Sequence, residues 1–262
     1  MASRPYVLLS AAMSADGYLD DATDRRLILS DAADLDRVDG VRAGSDAILV
    51  GGRTIRRDNP RLRVRSAARR EDRLRRGQPA SPARVTLTAG GGLDPAARFF
   101  AGDGIDKLVY TPAGAASGVR ERLGAAATVI GCGDPLSLPR MLADLAGRGI
   151  GVLMVEGGAI VLGQFLAAGL ADELQLAIAP LRVADEAAPR LLSGVADPAA
   201  LGNLSTLDDL GTLTDLRAPA DPGRASGLPG PGRRPGELRL TEASHAGQMV
   251  VLRYRLKEGA AG

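Results

Sequence analysis

The chain is short of the residues that thiol, metal and histidine chemistry require. Its 262 residues include one cysteine (Cys132), one histidine (His245), no tryptophan and only seven other aromatics. A single cysteine excludes an internal disulfide and a thiolate metal cluster. A single histidine excludes a two-histidine metal motif, so no metal site is expected. No apolar run approaches the roughly 18 residues that a membrane-spanning helix needs. The first residues, Met1-Ala2-Ser3-Arg4-Pro5, lead into a strand-like run without the build of a secretory signal. The expectation is a soluble cytoplasmic protein with no membrane partner.

What is present is globular in character. Hydrophobic residues make up 45% and charged residues 24%, with a net charge of +2. The length fits one large domain or two small ones. No internal repeat or second core is visible, so a single domain over 1–262 is expected. Lys107 and Lys257 are the only lysines among 33 basic residues. Together with abundant Ala and Gly, this reads as coding bias rather than a signal about partners. Eight arginines fall between Arg61 and Arg76. A nucleic-acid reader would interleave aromatic platforms with such bases. That stretch has none, so a solvated loop or helix face is expected, and no nucleic-acid partner.

Apolar runs and turn residues alternate along the chain. Tyr6 to Ala12 is continuous enough for a strand buried on both faces, and Asp16-Gly17 after it suits a tight bend. Ser30 is expected to cap a helix with Asp31 and Asp34 in its first turn, and Leu35, Val38 and Val41 or Arg42 repeat at helical spacing, so the helix ends near Gly44. Strands are expected at 47–50, 84–88, 107–111, 127–130, 152–155 and 174–179. Helices are expected around 119–123, at 138–146 behind Ser137, and at 159–168. The alternation argues for an α/β fold with a mostly parallel sheet covered on both faces. The segments 237–242 and 249–256 read as an antiparallel strand pair. Before them, 218–236 carries five prolines and five glycines and reads as a mobile insertion.

Two places could carry chemistry. Val155-Glu156-Gly157-Gly158 ends a strand at a helix start, where glycines let a ligand approach the backbone and free N–H groups face an anion. It is neither a dinucleotide fingerprint nor a Walker loop, and a plain tight turn would look the same. The second place is Gly51-Gly52-Arg53-Thr54 through Asp58-Asn59-Pro60 to Arg65. Thr54 and Asp58 are spaced i and i+4. After Pro60 an extended path puts Arg61, Arg63 and Arg65 on one side. This could be a nucleotide contact, a polar group and an anion clamp, or a turn followed by solvated arginines. Spacing does not choose. His245 reads as a surface turn residue and Cys132 as a small packing residue.

In order through the chain, Pro5-Tyr6-Val7 with Ser14-Ala15-Asp16-Gly17, Arg42 to Gly51, Thr54 to Pro60 with Leu62 and Arg65, Val155 to Gly158, Phe165-Leu166, Gly169 to Glu173 and Ala179-Pro180 form a set. The set resembles the reductase domain of the riboflavin-biosynthesis deaminase-reductases and their stand-alone pyrimidine reductases, which share the dihydrofolate-reductase-like fold. The resemblance implies NADPH-dependent reduction of a phosphoribosylamino pyrimidine to its ribitylamino form, by hydride delivery to C1 of the sugar. It implies a homodimer. Ala12, Ile28, Thr54 and Asp58 would border the nicotinamide half of the cofactor, beside Gly51 and Gly52. Gly157, Gly158, Ala159, Ile160 and Gln164 would hold the pyrophosphate, and Thr88 would lie near the 2′-phosphate. Arg26, Arg42, Leu62, Arg65 and Glu156 would line the substrate pocket, with Arg65 as its phosphate clamp. Asp58 is the candidate proton donor. If it is buried beside the nicotinamide, its pKa should rise.

The chain also departs from the family pattern. Ser10 stands where the bacterial bifunctional enzymes carry a lysine, Ala15 replaces the usual leucine, and Ile28 lies near their tryptophan position. The deaminase domain and its zinc ligands are missing, so no deamination is expected. These departures bear on the substrate more than on the reaction class. A dihydrofolate or pterin reductase on the same fold is the alternative, and a non-catalytic nucleotide- or RNA-binding protein is a more distant one.

Overall fold

Continuous apolar runs become strands covered on both faces, and a computed structural model shows how they are ordered. It describes residues 4–23, 27–193 and 239–256. The strands are β1 (Tyr6–Ser14), β2 (Ala47–Gly51), β3 (Ala83–Leu87), β4 (Lys107–Thr111), β5 (Thr128–Gly131), β6 (Val152–Gly157), β7 (Glu173–Ala179), β8 (Arg239–Ala246) and β9 (Met249–Arg255). The helices are α1 (Ala32–Gly44), α2 (Gly52–Asp58), α3 (Ala67–Arg75), α4 (Ala116–Leu123), α5 (Leu138–Gly147) and α6 (Ala159–Ala167). One sheet runs β5-β4-β3-β2-β6-β1-β7-β9-β8. It is parallel from β5 to β7. The β8–β9 pair then adds antiparallel to β7. This is the mixed α/β, dihydrofolate-reductase-like architecture expected from the sequence. The expected 218–236 insertion lies outside the described residues.

One face of the sheet is closed by α5 and α6. Met141, Leu142, Leu145, Val161, Leu162 and Phe165 pack on Leu9, Leu49, Leu153, Val155 and Leu174. The other face begins with Ile48, Val50 and Val109, covered by Ile55, Phe99, Phe100, Val119 and Leu123. Ser137 caps α5 as expected, accepting from the Arg140 N–H. The Asp16-Gly17 bend also holds, with Gly17 at φ +87. Asp16 does more than turn the chain: its carboxylate accepts the Val183 and Ala184 N–H groups and the Ser14 hydroxyl.

Two local expectations need correction, and the burial of α1 adds a finding of its own. The cap of α1 is Asp31, which accepts the Asp34 N–H; Ser30 lies one residue too early. The buried positions of α1 are Asp34, Asp39 and Ala43, whereas Leu35, Val38 and Val41 are only half-buried. The apolar spacing therefore marks the flank of α1, and its inward face is polar. Finally, the arginine-rich stretch contains the helix α3, and Arg73 in it is 1% exposed. Arg73 is not solvated: it donates to the carbonyls of Ala43, Ser45 and Pro79. These carbonyls include the end of α1, where backbone acceptors lack helical partners.

Candidate active site

The site is built where parallel strands end, the place at which open α/β sheets generally leave a crevice. Strand β2 passes directly into α2 through Gly51 and Gly52, and β6 passes into α6 through Gly157 and Gly158. The two turns touch. A Cβ on Gly51 would lie 2.9 Å from Val161 Cγ2, and one on Gly158 would lie 3.1 Å from Thr54 Oγ1. On the other flank, a Cβ on Gly52 would lie 3.1 Å from the Leu87 carbonyl and 3.3 Å from Thr88 Cβ. Gly51, Gly52, Thr54, Thr88, Gly158 and Val161 thus meet at one corner, and Val50 pairs with Gly157 across a register shift between β2 and β6. The Gly157–Gly158 peptide is cis.

The same corner can accept an anion. Gly158 is the N-cap of α6 and offers no side-chain cap, so the first N–H groups of the helix are not satisfied from within it. A Cβ on Gly157 would meet nothing within 4 Å, and its φ is +129. The turn is open on that side, which is the fit a pyrophosphate needs. Ile160 and Gln164, one turn apart on α6, are both exposed. Thr88 is buried, and its hydroxyl is engaged with the Gly91 N–H and carbonyl, closing the 88–91 turn. Ala12 lies near the end of β1, paired with Ala177.

A second group lies beside this corner. Arg42 grips Glu156 with two bonds of 2.6 Å, from Nε and Nη2. The pair is largely sheltered, at 16% and 12% side-chain exposure. Burial works against the charge of Arg42, but the Glu156 carboxylate outweighs it and holds the guanidinium pKa above its ordinary value. Arg42 Nη1 also donates to the Arg63 carbonyl at 3.2 Å. Beyond Pro60 the alternation appears as expected: Arg61, Arg63 and Arg65 are exposed while Leu62 and Val64 are buried. Leu62 is held at φ +41. Arg65 reaches back to α1, with Nη2 on the Leu35 carbonyl at 2.5 Å and Nε 3.7 Å from Asp39.

The other expected residues are placed less closely. Asp58 ends α2 and is half-buried. Its neighbour Arg57 pairs with Asp20 at 2.8 Å, tying α2 to the loop after β1. Ile28 is 70% exposed in the segment before α1. Arg26 lies outside the described residues. Cys132 is buried, and burial pushes its thiol pKa up, away from a reactive thiolate. His245 is exposed on β8, just before the turn. Asp39, which sequence reasoning missed, is buried on α1 and touches the Arg65 segment. Among the described residues, no group of acidic, His and Cys side chains could hold a metal.

Residues 5–214 match the family model of the RibD C-terminal domain. The chain belongs to that family. The 2,5-diamino-6-ribosylamino-4(3H)-pyrimidinone 5′-phosphate reductase of Archaeoglobus fulgidus is 31% identical over 191 residues, covering 73% of this chain and 87% of the relative. The riboflavin biosynthesis protein RibD of Bacillus amyloliquefaciens is 35% identical over 197 residues, which is 72% of this chain but 49% of that one. A pyrimidine reductase-like protein from Corynebacterium diphtheriae superposes with a TM-score of 0.72 at 20% identity, covering 97% of this chain and 93% of the other. The likeness in fold therefore extends over nearly the whole chain, and the RibD C-terminal domain is an oxidoreductase domain of the dihydrofolate-reductase-like type. No described helix is long and apolar enough to cross a membrane.

Proposed function

We propose that this protein uses NADPH to reduce a phosphoribosylamino pyrimidine, or a close heterocyclic analogue, to the ribitylamino form. The observation that carries the proposal is the meeting of two glycine turns, at Gly51-Gly52 and Gly157-Gly158, beside the sheltered Arg42–Glu156 pair. The first provides an open backbone corner for a dinucleotide, and the second a charged wall for a polar substrate. The name of the Archaeoglobus relative supports a pyrimidinone 5′-phosphate as that substrate.

NADPH, when bound, supplies the hydride. The chain's own residues supply position and charge. The α6 N-terminus and the Gly157-Gly158 turn face the pyrophosphate, with Thr54 beside them. The 88–91 turn, closed by the Thr88 hydroxyl, forms the neighbourhood of the 2′-phosphate; in this reading Thr88 shapes the turn rather than binding the phosphate directly. Arg42, Glu156, Leu62 and Arg65 line the substrate side. Asp58, at the end of α2, passes a proton to the opening sugar.

The Arg61–Arg76 stretch gives no support to a nucleic-acid role. Arg69, Arg70 and Arg73 all turn back onto the protein. The expected homodimer is retained as part of the proposal. Edge strand β8 and its neighbour β9 expose Leu240 and Val250, and a second copy of the chain would cover them. The deciding experiment follows NADPH absorbance with 2,5-diamino-6-ribosylamino-4(3H)-pyrimidinone 5′-phosphate, dihydrofolate and a dihydropterin, with NADH as a control. Oxidation with the pyrimidinone alone is expected. Oxidation with dihydrofolate alone would replace the substrate, and NADH binding as tight as NADPH would remove the cofactor preference.

A further inference from the structure

We propose that Asp39 is a positioning residue, locking residues 63–66 onto α1 so that Arg42 and Arg65 present one preformed surface to the substrate. This rests on the reading of Arg42, Arg65 and Glu156 as the substrate side.

Residues 61–66 are irregular backbone that joins no strand ladder, so their polar groups must find partners elsewhere. Asp39, at 2% exposure, supplies the central ones. Its Oδ1 accepts the Arg65 N–H at 2.5 Å, and its Oδ2 accepts the Ser66 N–H at 3.0 Å and Arg69 Nη1 at 3.1 Å. Three residues further along α1, Arg42 donates to the Arg63 carbonyl while holding Glu156. One helix therefore grips one short segment with both polarities: a carboxylate takes N–H groups at 65 and 66, and a guanidinium gives to the carbonyl at 63.

Other groups of the segment are tied to other elements. The Val64 N–H donates to Ser81 Oγ at 3.1 Å, and Arg70 Nη1 donates to the Val64 and Arg65 carbonyls. Among the described residues, only Asp39 links the segment's N–H groups to the helix that carries Arg42. Burial alone would push its carboxyl pKa up; the two amides and Arg69 outweigh that and hold it below the usual range, so it stays an acceptor at neutral pH. None of the bonds that Asp39 itself makes reaches the glycine corner, so the cofactor side should not sense its loss.

The test is Asp39→Asn, whose amide keeps one acceptor and turns a donor toward another. With the pyrimidinone 5′-phosphate, KM should rise at least tenfold, kcat should stay within about threefold and NADPH Kd within about twofold. Adding Arg65→Ala should then raise KM no more than about threefold further, against roughly thirtyfold in the parent, because both changes act through the same group. Amide exchange of residues 63–66 should quicken at least tenfold, a readout that needs no substrate. Unchanged exchange, or unchanged KM where Arg42→Ala and Arg65→Ala each raise it, overturns the positioning role and leaves the site reading intact. If those two variants also leave KM unchanged, the site reading fails and the proposal with it. A parallel loss of kcat and NADPH affinity would mean general loosening and overturn it too. Should Asp39→Asn not fold, Arg69→Gln removes the outer bond to Asp39 together with the two bonds to Asp36 and should raise KM about threefold, whereas Asp36→Asn, which leaves Asp39 its three partners, should not; no rise with Arg69→Gln overturns the proposal.

Discussion

The Arg42–Glu156 pair can be tested before any substrate is in hand. Its two 2.6 Å bonds form a bidentate, charge-assisted contact. Removing one partner of a fully buried pair typically costs about 3–5 kcal/mol, because a charge is left uncompensated. Here the side chains keep 16% and 12% of their exposure, so the lower end applies and Glu156→Ala should lose about 3 kcal/mol. Glu156→Gln keeps one acceptor and loses a charge-assisted bond, which is about 2 kcal/mol. With a urea dependence of about 3 kcal/mol per molar, the midpoint should fall by about 1 M and about 0.7 M respectively. The chain has no tryptophan, so far-UV circular dichroism is the suitable probe. NADPH fluorescence then reports the cofactor without interference, and its Kd should be nearly unchanged. Replacing both partners, as in Arg42→Met with Glu156→Leu, should recover most of the stability while destroying substrate binding. Single variants within 0.5 kcal/mol of the parent would refute the reasoning. So would a double variant less stable than either single one.

Other outcomes follow from the same geometry. Gly52→Ala would put a Cβ 3.1 Å from the Leu87 carbonyl and should cost about 1–3 kcal/mol by overpacking while weakening NADPH binding. Gly118→Ala, in the exposed middle of α4 with nothing within 4 Å, should gain about 0.5–1 kcal/mol; thermal melts separate the two. Arg65→Ala should weaken substrate binding by about 2 kcal/mol and leave NADPH affinity alone. Asp58→Asn should lower turnover at least tenfold with a smaller change in KM, which steady-state kinetics will resolve. Burial, with the hydrogen bond to Glu173, pushes the Tyr6 hydroxyl up to about 12. A raised pKa means its contribution is intact below about pH 10 and is lost as pH rises toward 12. The melting temperature should fall in that window, and Tyr6→Phe should flatten the fall.

The parts of the fold that were legible are those whose signal is local. Ala47 to Val50 and Val152 to Val155 are unbroken apolar runs, followed by a glycine pair at once or after Glu156, because a strand covered on both faces leaves no room for alternation. The glycine pairs were legible for a related reason: two helices start so close to two strand ends that a Cβ at Gly51 or Gly158 has no space. That crowding requires glycine whatever ligand binds, so the residue type shows in the sequence. The charged wall was legible only through resemblance. Arg42 and Glu156 are 114 residues apart, and nothing near either one announces the other.

What stayed hidden is polar and buried. Helix α1 turns Asp34 and Asp39 inward, and helical spacing of Leu35, Val38 and Val41 pointed to its flank. Helix α3 has no apolar face to read, since its most buried residue is Arg73. The physical reason is common to both. Residues 61–66 and the end of α1 are irregular, so their N–H and C=O groups need side-chain partners, and the chain supplies these from charged residues. A guanidinium suits this task better than an ammonium, because a planar fork with five donors can meet several carbonyls at fixed angles. Arg73 meets three of them, and Arg84 on β3 meets those of Leu62 and Phe99 while pairing with Asp103. An arginine-rich stretch of this kind reads as solvated surface by composition. Here it is divided: the even path after Pro60 leaves Arg61 and Arg63 free to face solvent, while Arg69, Arg70 and Arg73 hold the backbone from which they project.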